Sequence, residues 1–411
     1  MRGGMIKLVK KEDLQVGMFI HDLNCGWMDH SFFRRRFPLK KEEELKKIHE
    51  SGIKDVYIDT EKGLDAKGPT QEAVREEIRE RIEDSIVQAH REVPQSSHEQ
   101  ELKVAKKIQS EATQVISGVL NDVRLGKQIE VERLSPVVAQ ITESILRNQG
   151  TLVSLCRIKE RDTYTFQHSV SVCTLLVTFC RYLGMSREVI QEAGVGGMLH
   201  DIGKMRVPDH ILNKPGKLTE PEFDIMKSHV ILGLEILHQT PGISATVLQI
   251  TSDHHERFEG SGYPSKKKAQ GISQLGRMAA IVDVYDAITS NRVYHKGMEP
   301  SIAVQKLFEW SNHHLDEELV QHFIQAIGIY PVGSLVRLES NRLAVVIEQG
   351  TSGLLYPVVR LVYDIKQNCR LKPVDEDLSK AESGGDHILS AESPETWQVN
   401  PFDYLTLALQ K

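Results

Sequence analysis

"HSVSVCTLLVTFCRYLG", residues His168 to Gly184, is apolar on almost every side. That spacing predicts a helix buried all round, with Gly184 as its stop. Such a helix needs other helices around it, and helical patterns dominate from Ser135 to about Tyr330. Its most apolar part, Val170 to Cys180, is well short of the roughly 20 residues of a membrane span. Beyond Tyr330, "GSLVRLES", "RLAVVIEQG" and "YPVVRLVYDI" alternate with a period of two, as in a small antiparallel β appendage. The acidic stretch after Pro373 reads as a mobile tail, with "WQVNPFDYLTLAL" the piece able to dock.

Upstream, residues 6 to 60 mix short β-like runs, "GMFIHDL" and "KDVYIDT", with the helical "KKEEELKKIHESG", as in a small α+β module. From Thr70, Val74, Ile78, Ile82, Ile86, Ala89 and Val93 form one narrow stripe on a very charged helix. A second amphipathic helix runs from about Leu102 to Leu125. The stripe packs either on the next domain or on a second copy, and two or three heptads do not decide between them. The expected organisation is mainly α: residues 1–66 an accessory domain, 67–134 a helical linker or homodimerisation segment, 135–372 the main helical unit with its β appendage, and 373–411 the acidic tail.

Hydrophobic residues at 40% and charged residues at 26% describe a globular chain. The formal charge of −6 is local, because Asp375 to Glu395 holds seven acids and one lysine. No net basic domain speaks for a nucleic-acid polymer as partner, and "RRRFPLKK" (Arg34 to Lys41) reads as a solvated patch. Five cysteines without a CxxC argue against a disulfide framework or a thiolate zinc site and fit a reducing compartment. With no apolar stretch at the N-terminus long enough for a signal peptide, the expected location is cytoplasmic.

Seventeen histidines make any single one weak evidence, so company decides. His200 is followed at once by Asp201, a neutral imidazole beside a carboxylate that can bridge two cations. His229 sits among apolar residues in "EFDIMKSHVILGLEIL", where a core histidine is the plainer reading. His254 and His255 open "HHERFEGSGYP", with Gly260, Gly262 and Pro264 shaping the loop that follows. Asp283 and Asp286 lie three apart on an apolar helix, costly unless they meet a cation. Lys204, one turn beyond His200, is a candidate partner for Asp286 or for a substrate phosphate. By contrast His313-His314, among solvated acids in "EWSNHHLDEEL", reads as surface.

The ordered set "YTFQHS", "HDIGK", "ILNKPGKLT", "HVILG", "HHERFEGSGYP" and "DVYDAITSNRVYH" resembles the HD-GYP family, a subgroup of the HD-domain metal-dependent phosphohydrolases. The resemblance covers roughly residues 135 to 372. It implies an all-helical catalytic domain in which His168, His200, Asp201, His229, His254, His255 and Asp283 ligate two divalent transition-metal ions. Iron, manganese, nickel and zinc all suit such donors. It also implies Asp201 as the bridge, Lys204 and Asp286 as catalytic supports, Gly262, Tyr263 and Pro264 as the loop beside the substrate, and Arg292 as a phosphate clamp. The expected reaction is hydrolysis of cyclic di-GMP to linear pGpG and, more slowly, to GMP. Implied partners are diguanylate cyclase (GGDEF) domains, met through the GYP loop. The rival readings are an HD hydrolase of another cyclic dinucleotide and a catalytically weak sensor of the messenger, the latter disfavoured by the complete ligand set. Glu259 departs from the family's aspartate by one methylene, which bears on how the loop closes. Residues 6 to 65 resemble, more loosely, a small domain of unknown role often found ahead of this catalytic unit.

Overall fold

A computed structural model of the chain describes residues 5–25, 36–86, 96–157, 159, 163–290, 297–311, 313–350, 353–380 and 385–406. The first unit contains β1 (Ile6–Lys10), β2 (Phe19–Asp22), β3 (Phe37–Pro38), α1 (Glu42–Glu50) and β4 (Asp55–Asp59). Its strands form one antiparallel sheet in the order β1-β4-β2-β3, with Val9 opposite Val56. Val9, Leu14, Ile20, Ile53, Val56 and Ile58 gather with Ile48 of α1 into a separate small core.

Two long helices leave this unit, α2 (Gln71–Ile86) and α3 (His98–Arg124). Ser97 opens α3 with a capping box closed by Gln100. Val74, Ile78 and Ile82 of α2, and Leu102, Ile108 and Ile116 of α3, enter the same hydrophobic core as Val138, Val177 and Phe179. The stripe is therefore spent inside the chain, and the segment is a structural part of the helical unit rather than a linker. Ala89 and Val93 of that stripe lie outside the described residues. Buried Glu101 ties α3 down, accepting from Ser144 and twice from Arg147, each at 2.8 Å.

The helical unit continues through α4 (Ser135–Arg147), α5 (Gln149–Leu155), α6 (Tyr164–Tyr182), α7 (Arg187–Leu199), the short α8 (Asp209–Leu212), α9 (Glu220–Lys227), α10 (His229–His238), α11 (Ala245–Asp253), α12 (Gln274–Thr289), α13 (Pro300–Ser311) and α14 (Glu317–Ile327). The central α6 is buried without a break from His168 to Cys180. Thr174 and Thr178 donate their hydroxyls to the carbonyls of Val170 and Thr174, so burying them leaves no polar group unpaired. Gly184 does end this helix, at φ +66°, and the amide of Met185 reaches back to the Cys180 carbonyl at 3.1 Å.

The appendage is larger than the sequence patterns imply. β5 (Leu335–Leu338), β6 (Arg342–Glu348), β7 (Val358–Asp364), β8 (Cys369–Asp377) and β9 (Ile388–Ala391) form an antiparallel sheet in the order β8-β7-β6-β5-β9. The expected boundary at 372 falls inside β8, and the acidic segment is no free tail. Three of its acids, Asp375, Glu376 and Asp377, sit on an edge strand, where Asp375 holds Arg360 through two bonds of 2.6 and 2.8 Å. Beyond β9, α15 (Pro394–Trp397) and α16 (Pro401–Leu405) dock Val399 and Leu405 into the core of this sheet. Among the described residues no helix is long and apolar enough to cross a membrane.

Candidate metal centre

The ends of four helices and the middle of a fifth converge on one point. His168 comes from the second turn of α6, one turn after Tyr164, and His200 and Asp201 from the step that closes α7. His229 opens α10, His254 and His255 follow α11, and Asp283 lies in α12. Gly203 lets the His200–Asp201 step sit against α10, since a Cβ there would lie 1.9 Å from the His229 carbonyl oxygen. All seven expected ligands are brought together, in two groups: Asp201 with His229, His254 and His255, and His168 with His200 and Asp283.

Asp201 joins the groups. Its Oδ1 lies 3.2 Å from His229 Nε2 and 3.8 Å from His254 Nε2. Its Oδ2 lies 3.2 Å from His200 Nε2 and 3.5 Å from His168 Nε2. The imidazoles are oriented from behind: Nδ1 of His200, His229 and His254 donates to the carbonyls of Gly197, Met226 and Thr251 at 2.7, 2.7 and 2.9 Å. Each Nε2 is thereby left as a lone pair facing the centre. Nε2 of His200, His229, His254 and His255, and Oδ1 of Asp201, are buried without a hydrogen-bond partner among the described residues. Clustered lone pairs of this kind are costly unless a cation satisfies them, so the donor set fits bound metal.

The electrostatics agree. Burial would raise the Asp201 carboxyl, but the Lys204 ammonium, with His200 and His168 close beside it, holds it well below the usual carboxylate range. Burial likewise works against Asp283, and the bond and charge of His168, with His200, hold it well below that range. Burial, reinforced by His254 and His229, pushes the His255 imidazole far down, which keeps it neutral as a ligand must be.

Around the ligands the sequence reading needs three corrections. Lys204 does not meet Asp286; its Nζ lies 2.5 Å from Asp201 Oδ2. Asp286 is taken by His168, whose Nδ1 is 2.6 Å from Oδ2, and by Lys159, with which it forms an ion pair closed off from solvent. Lys159 escaped the sequence reading because it stands alone before α6 with no motif around it. His314 is not a surface residue: it is buried, and its Nδ1 donates to Glu259 Oε1 at 2.9 Å. Its neighbours in sequence are solvated, but the loop that covers it comes from 55 residues away.

That loop is the opening of the site. Buried Glu256 accepts from the amides of Ser265 and Lys267 at 2.7 and 3.0 Å and so folds the segment back on itself. Gly262 is required by close approach, since a Cβ would lie 2.3 Å from the Arg257 nitrogen. The Tyr263–Pro264 peptide is cis. The Tyr263 ring stacks on His255, with centroids 4.7 Å apart. Asp283 and Lys204 retain 14% and 21% of their side-chain exposure, marking the side from which a phosphate can reach the cluster. Arg292 lies outside the described residues.

A model described as HD domain matches residues 156–319, and one described as a domain of unknown function, DUF3391, matches residues 6–134. The latter joins the two segments that the sequence patterns divide near residue 66. Over 408 residues, 99% of this chain and 97% of the relative, the sequence is 39% identical to cyclic di-GMP phosphodiesterase PA4108 of Pseudomonas aeruginosa. The chain belongs to the HD-GYP family. The chain is also similar to cyclic di-GMP phosphodiesterase response regulator RpfG of Xanthomonas campestris, 37% identical over 177 residues, 42% of this chain and 46% of that one. It is likewise similar to 3'3'-cGAMP-specific phosphodiesterase 1 of Vibrio cholerae, 36% identical over 141 residues, 34% of this chain and 32% of that one.

Proposed function

We propose that this HD-GYP protein hydrolyses cyclic di-GMP to linear pGpG and, more slowly, to GMP. The observation that carries the reading is Asp201, whose two oxygens face two separate histidine groups as a bridging carboxylate would. His168, His200 and Asp283 would hold one divalent ion, His229, His254 and His255 the other, and Asp201 both; iron, manganese, nickel and zinc suit these donors. Two such ions supply a nucleophilic water at neutral pH and neutralise phosphate oxygens.

The chain's own groups do the rest. The backbone carbonyls behind His200, His229 and His254 fix which nitrogen each imidazole presents. The Lys204 ammonium, partly exposed beside Asp201, offers positive charge where the phosphate arrives. Asp286 and Lys159 steady His168, while Tyr263 steadies His255. Gly262 and Pro264 shape the loop at the substrate, and Arg292 clamps a phosphate with the planar fork of its guanidinium. In the reaction the oxygen of water bonds to phosphorus and the P–O3′ bond breaks. The 3′ oxygen takes a proton, and pGpG keeps the phosphate on its 5′ side.

This reading carries a cytoplasmic location and diguanylate cyclase (GGDEF) domains as partners at the GYP loop. The test is turnover by purified protein loaded with Mn²⁺, Fe²⁺ or Ni²⁺, offered cyclic di-GMP and 3'3'-cGAMP side by side. Release of pGpG, faster than cleavage of the mixed dinucleotide, is the expected result. Tight binding of cyclic di-GMP without turnover under all three metals would make the protein a sensor instead.

A further inference from the structure

The N-terminal domain touches the active-site loop through a two-residue relay. In the turn before β4, Lys54 Nζ donates to His313 Nδ1 at 2.9 Å, and Asp55 Oδ2 lies 3.5 Å from His313 Nε2. Both ring nitrogens of His313 therefore face the N-terminal domain. The next residue, His314, faces the other way. Its Nδ1 donates to Glu259 Oε1 at 2.9 Å, and its carbonyl accepts from the Phe258 amide at 2.9 Å. Glu259 also accepts from the Ser261 hydroxyl at 2.5 Å. Ser261 in turn abuts the same N-terminal turn, since a Cβ on Gly52 would lie 2.9 Å from its Oγ. Two residues further along the loop, Tyr263 stacks on the ligand His255 and its amide donates to the His255 carbonyl at 3.2 Å.

The relay has a fixed base. Tyr57 of β4 donates to Glu309 at 2.7 Å, and Asn24 accepts from Trp310 at 3.3 Å, so the domain grips α13 just before His313. The loop's own ties are polar, Glu256 with the Ser265 and Lys267 amides and Lys267 with Asp253 at 2.6 Å, and neither Phe258 nor Tyr263 enters the hydrophobic core. Segments of that kind open locally at low cost unless supported from outside.

We propose that His314 and Glu259 are positioning residues for the reaction, and that the N-terminal domain, by holding His313 and bearing on Ser261, keeps the 256–268 loop seated so that Tyr263 stays on His255. The kinetic arm of this proposal rests on the phosphodiesterase reading; its structural arm does not.

The test uses the full-length, Mn²⁺-loaded protein. Gly52→Leu wedges the seam against Ser261 from outside the site, His314→Phe removes the donor to Glu259, and His314→Asn keeps a donor near the same place. Hydrogen exchange at the Phe258 and Tyr263 amides should quicken in the Leu and Phe variants and stay near wild type in the Asn variant. Mn²⁺ content should not change. KM for cyclic di-GMP should rise more than kcat falls, by roughly tenfold, within the ~10²-fold that a ~1 Å misplacement can cost. Unchanged exchange at both amides in Gly52→Leu and His314→Phe would overturn the proposal. Exchange quickened across the whole chain, or loss of Mn²⁺, would also overturn it by making the seam a general structural contact. Quickened loop exchange in a protein whose wild type turns over no cyclic dinucleotide would uphold the loop support and remove the phosphodiesterase reading.

Discussion

His168 Nδ1 stands 2.6 Å from Asp286 Oδ2, and the same oxygen faces the Lys159 ammonium. A ligand imidazole backed by a carboxylate is oriented and made more basic at its far nitrogen. Here the carboxylate is itself backed by a cation, and all three side chains are shut away from water, with Lys159 only 1% exposed. Removing the cation would leave a buried charge uncompensated, a change worth ~3–5 kcal/mol in comparable pairs.

Lys159→Met should therefore weaken metal binding without touching any ligand. We expect the weaker of the two Mn²⁺ affinities, read by titration calorimetry, to fall by roughly 10- to 100-fold. Lys159→Arg should recover part of it. Equal affinities in wild type and Lys159→Met would show that Asp286 needs no partner.

Asp201→Ala should abolish activity and cost metal in both groups, because each carboxylate oxygen faces a different one. Elemental analysis is the direct check. Full metal retention in an inactive variant would contradict a bridging role.

How much of this could be read from the chain depends on distance in sequence. Most of the donor cluster was legible because HD and HH steps place two donors at one helix end and His168 and Asp283 sit in conspicuously apolar helices, while His229 read as a core histidine until the family resemblance drew it in. Lys159 and His314 were not legible. Each owes its place to a residue far away, Asp286 and Glu259, and nothing local to a lone lysine or a histidine among acids signals that. The acidic segment misled for a related reason. Its charges suggested a solvated tail, yet an edge strand can carry such charges when a neighbour like Arg360 pairs with them. The narrow stripe on α2 fits a coiled coil and an intramolecular seam equally well, and only the packing of Ile78 and Ile82 into the helical core decides.

Because that stripe is internal, Ile82→Ala in α2 should cost stability and leave the oligomeric state alone. A large-to-small change at a fully buried position costs ~2–5 kcal/mol, readable in denaturant unfolding. For the same reason a chain starting near residue 128, which lacks α2 and α3, should not fold stably. A cooperative unfolding transition in that truncation would show that the helical unit closes without them.

Metal binding should release a proton. Burial alone would lower the His168 imidazole, but its bonds with Asp201, Asp283 and Asp286 outweigh that and push it up to about 10 in the metal-free site. Below that pH the metal-free imidazole carries a proton that a cation must displace from Nε2. Apparent Mn²⁺ affinity should thus climb by about tenfold per pH unit from pH 6 to 9. Calorimetry in buffers of different ionisation heat measures the proton directly. A pH-independent affinity with no proton exchange would be inconsistent with this arrangement.

The last prediction concerns how many ions the site takes and where the reaction stops. An additional acidic ligand one turn before His168 could hold a third ion, but that position is Tyr164, a phenol with no negative charge at pH 7. Its ring lies parallel to His168, with centroids 6.2 Å apart. Lys159 sits 5.3 Å from the Tyr164 centroid with its charge already matched by Asp286, so this flank offers no spare carboxylate for another cation among the described residues. Glu160 and Asp162, eight and six residues before His168, lie outside the described residues. Two ions per chain are expected. Linear pGpG carries a terminal phosphate that the ring lacks, and with no third ion to receive that extra charge its binding should be the weaker. Ring opening should then outrun the second cut, and a time course should show pGpG accumulating before GMP. Three ions per chain in anomalous diffraction, or GMP appearing with no pGpG, would reject the two-ion reading.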